Sequence, residues 1–280
     1  MPVVLALGSA LVYGVGDYLG GRASRHQPSV LVALLGQIVS LVLVVVAVAF
    51  VGTAAPDAAT WAWSAFGGVA GALGIAGLYH GLSHGDVTVV APTSAVVGAV
   101  VPVVWALSTG ERPSALSLIG IVLAVVAVAL VSGALGTHQH NTPRSILVLA
   151  VLVGVCFGIL FVAFDRADPD SGLWPLVIAR LSSVPMLVVL ALSLRARPSG
   201  HRPSLYLSMV VGAIDMSSNW LYLAAARSGL LSVVAVIASL YPASTVVLAS
   251  TIDKERIGRW QAVGMVLAVV AVVVVTLSRQ

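Results

Sequence analysis

Apolar residues along the chain gather in long blocks, at roughly 2–20, 30–52, 61–82, 87–108, 114–133, 145–164, 174–194, 204–226, 230–250 and 258–278. Each is close to the roughly 20 residues that a helix needs to cross a hydrocarbon layer of about 30 Å. Polar punctuation separates them: Gly20-Gly21-Arg22, Ala55-Pro56-Asp57, Glu111-Arg112-Pro113, Asp165 through Asp170, Arg195-Ala196-Arg197-Pro198, and Asp253-Lys254-Glu255-Arg256. Strands of a membrane barrel would alternate over about ten residues, and these blocks do not alternate. In lipid a helix satisfies its own backbone, so the blocks predict helices. The expected fold is an all-α membrane protein of about ten transmembrane helices. The first block has no positive leader and no small-x-small cleavage site, and reads as a retained helix.

Composition agrees. Apolar residues make up 59% of the 280 and charged residues 9%, with a mean hydropathy of +1.08. A soluble domain carries about 25% charged residues to solvate its surface, so a soluble globular fold is excluded. The net charge of +4 comes from Lys and Arg scattered at block ends, with no basic stripe, so no nucleic-acid partner is expected. The single Cys156 lies in an apolar block and reads as a packing residue.

The chain also repeats itself. A shift of 144 residues places Gly14 on Gly158, Arg22-Ala23 on Arg166-Ala167, Glu111-Arg112 on Glu255-Arg256 and Gly120 on Gly264, and superimposes 122–128 on an identical run at 266–272. This divides the protein into a first five-helix repeat (1–135), a polar linker (136–144) and a second five-helix repeat (145–280). Five is odd, so the second copy enters the membrane from the opposite side. Inverted repeats of this kind build many secondary transporters, with a solute site near the midplane between the halves.

Thr109-Gly110-Glu111-Arg112 closes the fourth block, Tyr241-Pro242 precedes Glu255 in the second half, and Arg180 stands in the seventh block. With these features the chain resembles the EamA family of the drug/metabolite transporter superfamily over almost its whole length. The resemblance implies two EamA-like repeats and transport of small metabolites. The first half departs from the pattern: Gly98 stands where a Pro is expected, and Gln37 near the counterpart of Arg180. Lys and Arg counts in short loops put both termini outside, whereas the resemblance implies both inside, so the sequence leaves orientation open.

Charged groups within a span cost a few kcal/mol and face a cavity or a partner. Asp215 is the deepest acid, and Ser218, Asn219 and Tyr222 share its helix face. The stripe suits a hydrophilic cavity in which Asp215 carries a proton. Equally, Asp215 suits a structural ion pair with Arg180, whose guanidinium fork could instead hold a substrate carboxylate or phosphate. Tyr13 and Gln37 are the first-half cavity candidates. Asp17, within about a turn of Gly20-Gly21, is expected at the membrane interface. Gly67, Gly68, Gly71, Gly74, Gly77 and Gly81 form a packing stripe. Pro92, Pro102, Pro185 and Pro242 mark bends. His80 and His84, like His138 and His140, lack a third ligand, so no metal site is expected. Glu111 and Glu255 read as charges capping interhelical turns.

No nucleotide-binding or hydrolase motif is present, and no catalytic residue or cofactor is expected. The reading is a monomeric secondary transporter or exporter of small polar metabolites, possibly amino acids, in the cell (inner or plasma) membrane. It works by alternating access on an ion or solute gradient. The alternatives are a membrane scaffold with a closed interior and an intramembrane lipid-modifying enzyme.

Overall fold

A computed structural model describes residues 1–51, 55–83, 87–131, 144–254 and 256–278. Among them there are helices and no strand. They are α1 (Pro2–Ser24), α2 (Ser29–Val51), α3 (Ala58–Ser83), α4 (Val87–Ser108), α5 (Ala115–Val131), α6 (Arg144–Asp165), α7 (Trp174–Ser193), α8 (Arg202–Ala226), α9 (Leu231–Ala238), α10 (Tyr241–Ile252) and α11 (Arg259–Leu277). A short 3-10 turn, Pro169–Ser171, precedes α7. Seven of the described segments are long and apolar enough to cross a membrane, with α9 and α10 counted together as one. The linker expected at 136–144 falls almost wholly outside the described residues, as do His84, His138, His140 and Glu255.

Helix ends follow local chemistry. Asp57 accepts a 2.9 Å hydrogen bond from the Thr60 amide and caps α3, and its bonds to Thr60 hold its carboxyl below the usual carboxylate range. Gly110 ends α4 at φ 103°, where a side chain would be strained. That turn folds the Glu111 amide back onto the Ala106 carbonyl at 2.9 Å. The Glu111 carboxylate then accepts from the Ser232 amide at 3.2 Å and from its hydroxyl, at the start of α9. The Gly-Glu motif therefore ends one helix and caps another, joining the halves.

Packing respects the 144-residue offset. α1 runs antiparallel to α8, with Gly8 against Leu221 and Gly16 against Ile214. α6 runs antiparallel to α3, with Gly77 against Val153 and Gly71 against Leu160. Adding 144 to the α1 numbers and subtracting it from the α8 numbers converts one seam into the other to within a residue. α5 and α11 also run antiparallel: a methyl on Gly120 would lie 2.4 Å from Val275, and one on Gly264 would lie 2.5 Å from the Val131 amide. Those two contacts are offset counterparts of each other.

One break in regularity distinguishes the halves. α9 stops at Ala238, Ser239 and Leu240 turn, and Pro242 opens α10. Proline has no amide hydrogen and its ring clashes with the carbonyl four residues back, so the helix cannot continue. Gly98 occupies the counterpart position, and α4 runs unbroken from Val87 to Ser108. Pro102 also lies inside α4, buried beside Gly158, without ending the helix. Pro92 is in α4, but its side chain lies outside the described ones.

Candidate functional site

Four helices bring their polar residues to one place. From α7 the Arg180 guanidinium donates to the Asp215 carboxylate of α8 at 2.7 Å and to Ser40 of α2 at 2.8 Å. Gln37 donates to the same Asp215 oxygen at 3.3 Å, and its own carbonyl accepts from Ser183 at 2.9 Å. The other Asp215 oxygen accepts from Asn219 at 3.1 Å. Tyr13 of α1 donates to Asn219 at 2.9 Å, and Ser9 donates to the Ser218 carbonyl at 2.9 Å. The Arg180 side chain is 4% exposed and that of Asp215 18%. A buried ion pair is tolerable only when its remaining donors and acceptors are met, and this network meets them with groups from both halves.

The pair borders a cavity of about 40 Å³, roughly midway along α1, α3, α6 and α8. Its polar wall comes from α1, α2, α7 and α8. Its apolar wall is Gly71, Ile75 and Tyr79 of α3 with Phe157, Leu160 and Phe161 of α6. A water needs about 10–15 Å³ of such space, so the cavity holds a few waters and no metabolite. Buried aromatic rings border it. Phe161 stacks on Tyr222 with centroids 4.3 Å apart. Tyr79 presses against Gly20, where a methyl would lie 2.2 Å from its ring.

The structure thus brings together Tyr13, Gln37, Arg180, Asp215, Ser218 and Asn219, all of which line the cavity. Tyr222 shares α8 with Asp215, Ser218 and Asn219 but does not line the cavity, donating to the Phe161 carbonyl at 3.3 Å. Gly71 borders the cavity, while at Gly74 a methyl would lie 3.1–3.2 Å from Phe157 and Cys156. Pro185 faces outward. Among the described residues no group of three His, Cys, Asp or Glu could hold a metal.

Asp17 departs from expectation: it is buried, 9% exposed, and lines the cavity instead of the interface. The Gly20-Gly21 pair does not end α1, which continues to Ser24 and carries Asp17 two turns inside. Glycine is tolerated mid-helix here because Gly20 is where Tyr79 fits. Ser40 and Ser183 were legible in principle, each three residues after a polar candidate on the same helix face. Phe157 and Phe161 were legible as the offset counterparts of Tyr13 and Asp17.

The fold matches one solved by crystallography with a TM-score of 0.73 over 99% of this chain and 96% of the other, at 14% sequence identity. No curated protein matches the sequence. The model of the EamA-like transporter family matches twice, over residues 1–133 and 144–277. Together these matches take in both halves of a multi-pass helical membrane protein, and the chain belongs to the EamA-like transporter family.

Proposed function

We propose that the protein is a secondary transporter of small polar solutes in the cell membrane, built from two inverted five-helix halves and working by alternating access. The observation that carries this reading is the small cavity, which lies at mid-helix depth between the halves and is lined by buried polar side chains from both. Inverted repeats place solute sites in that position because a rocking motion there exposes the same residues to each side in turn. The antiparallel α5–α11 pair, with its offset-matched contacts, supports the inversion. Its small volume and aromatic lining fit an occluded state, and the state that admits solute is wider. In the occluded state the Arg180–Asp215 pair is closed on itself, so a solute or proton that competes for it resets the balance between states.

The test is counterflow in proteoliposomes over amines, amino acids, organic acids and sugars, with and without a pH gradient. Accumulation of at least one solute above empty liposomes is expected, with Asp215→Asn removing any response to pH. No counterflow for any class would favour the scaffold reading, and turnover of lipid without solute movement the enzymatic one.

A further inference from the structure

We infer that the cavity selects cationic solutes, an ammonium group attached to an apolar body, and that Asp17 is the residue that binds the cation. The charged groups that line the cavity are Asp17, Arg180 and Asp215. Arg180 and Asp215 neutralise one another, and each Asp215 oxygen has at least one partner. Asp17 is about nine-tenths buried on the cavity wall, and among the described residues it has neither a hydrogen-bond nor an ion-pair partner. With both acids ionised the wall carries one uncompensated negative charge.

A buried carboxyl without a partner costs free energy, so its retention asks for a reason. Packing does not supply one: the offset counterpart of Asp17 is Phe161, and α6 packs on α3 in the register by which α1 packs on α8. At the counterpart position the same packing holds an aromatic ring, so the register does not itself demand a carboxyl. The opposite wall suits a cation's body. Phe157, Phe161 and Tyr79 line it, with Tyr241 also at the cavity, and aromatic residues attract ammonium groups and cover aliphatic or aromatic chains. Arg180 already donates to Asp215 and Ser40, which makes it a poor receptor for a solute anion in this state.

The inference deepens the transport reading and rests on it for passage of the solute, whereas the site itself is read by binding. Saturation-transfer NMR on the protein in lipid nanodiscs would compare butylamine and phenethylamine with phenethyl alcohol and 3-phenylpropionate. The amines are expected to bind, and the neutral and anionic analogues to give the signal of nanodiscs alone. Asp17→Asn should weaken amine binding by about ten- to a hundredfold, the worth of a charged hydrogen bond, and Asp17→Glu should restore most of it. Because Asp17→Asn replaces an unpartnered buried carboxyl with a group of the same shape, the variant should keep its thermal stability, which separates lost binding from lost folding. Amine binding unchanged in Asp17→Asn, equal binding of the alcohol or the acid, or no amine binding would overturn the inference. Counterflow of uncharged or anionic solutes without amine binding would leave transport standing and remove the cation site. Amine binding without counterflow would do the reverse.

Discussion

The α1–α8 seam and the α6–α3 seam are the same antiparallel packing made from different chemistry. In the first, Ser9, Tyr13 and Asp17 face a helix bearing Asp215, Ser218 and Asn219. In the second, the counterparts are Val153, Phe157 and Phe161, and the facing helix carries Gly71, Gly74 and Ile75. One seam is joined by hydrogen bonds across a polar wall, the other by large apolar side chains seated over glycines. Backbone register is conserved between them because it depends on where helices can approach. Side-chain chemistry is free to differ because the register of approach does not depend on it, and under the proposed function only one copy would face a solute.

Arg180→Ala should break this contrast most severely. It strands Asp215, and loss of one partner from a buried pair costs about 3–5 kcal/mol. Its counterpart position, Gly36, has no atom within 3.4 Å of an added methyl. Gly36→Ala is therefore expected to change stability by no more than about 1 kcal/mol, in the stabilising direction. Thermal unfolding in detergent would compare the two. Arg180→Met with Asp215→Leu should recover most of the loss, since a well-packed apolar pair replaces the ionic one.

Gly68 and Gly212 are offset counterparts at a second pair of crossings, α3 on α7 and α8 on α2. A methyl on Gly68 would lie 2.2 Å from the Ala179 carbonyl oxygen, and one on Gly212 would lie 2.3 Å from that of Gly36. Both obstacles are backbone and cannot rotate away. Each Ala substitution should cost about 1–3 kcal/mol. Losses that differ by more than that range would show that the two crossings are not equivalent.

Tyr13→Phe makes α1 resemble α6 at Phe157 and removes the bond to Asn219. The expected loss is about 0.5–1.5 kcal/mol, read by the same unfolding assay. The smallest effect belongs to the exposed group at the end of α1. There Asp253 accepts from Tyr18 at 2.8 Å and from Arg22 at 3.3 Å, with the Arg22 side chain about half exposed. Asp253→Asn should cost under about 1 kcal/mol and less still at high salt.

Legibility from sequence tracked how local each signal was. The apolar blocks, the 144-residue offset and the i, i+4 relation of Asp215 to Asn219 are properties of a stretch of chain. The Gly110-Glu111 ending was legible as a turn, yet its partner Ser232 lies 121 residues away and could not be read. Asp17 was misplaced because a Gly-Gly pair usually weakens a helix, and only Tyr79, from another helix, explains why it does not here. Ser40 and Ser183 share helix faces with Gln37 and Arg180, but which group each bonds across helices was fixed only by packing.

By itself the sequence determined the helical class, the membrane solvent and the twofold repeat, because hydrocarbon thickness and backbone hydrogen bonding leave one way to bury such blocks. The tertiary structure decided which polar groups meet. Arg180 was free, on sequence grounds, to serve solute or Asp215, and the 2.7 Å contact assigns it to Asp215 in this structure. Asp17 was left without a partner by the same arrangement. Charge pairing in a low-dielectric interior depends on distances of a few ångströms between helices, and such distances exist only once the helices have packed.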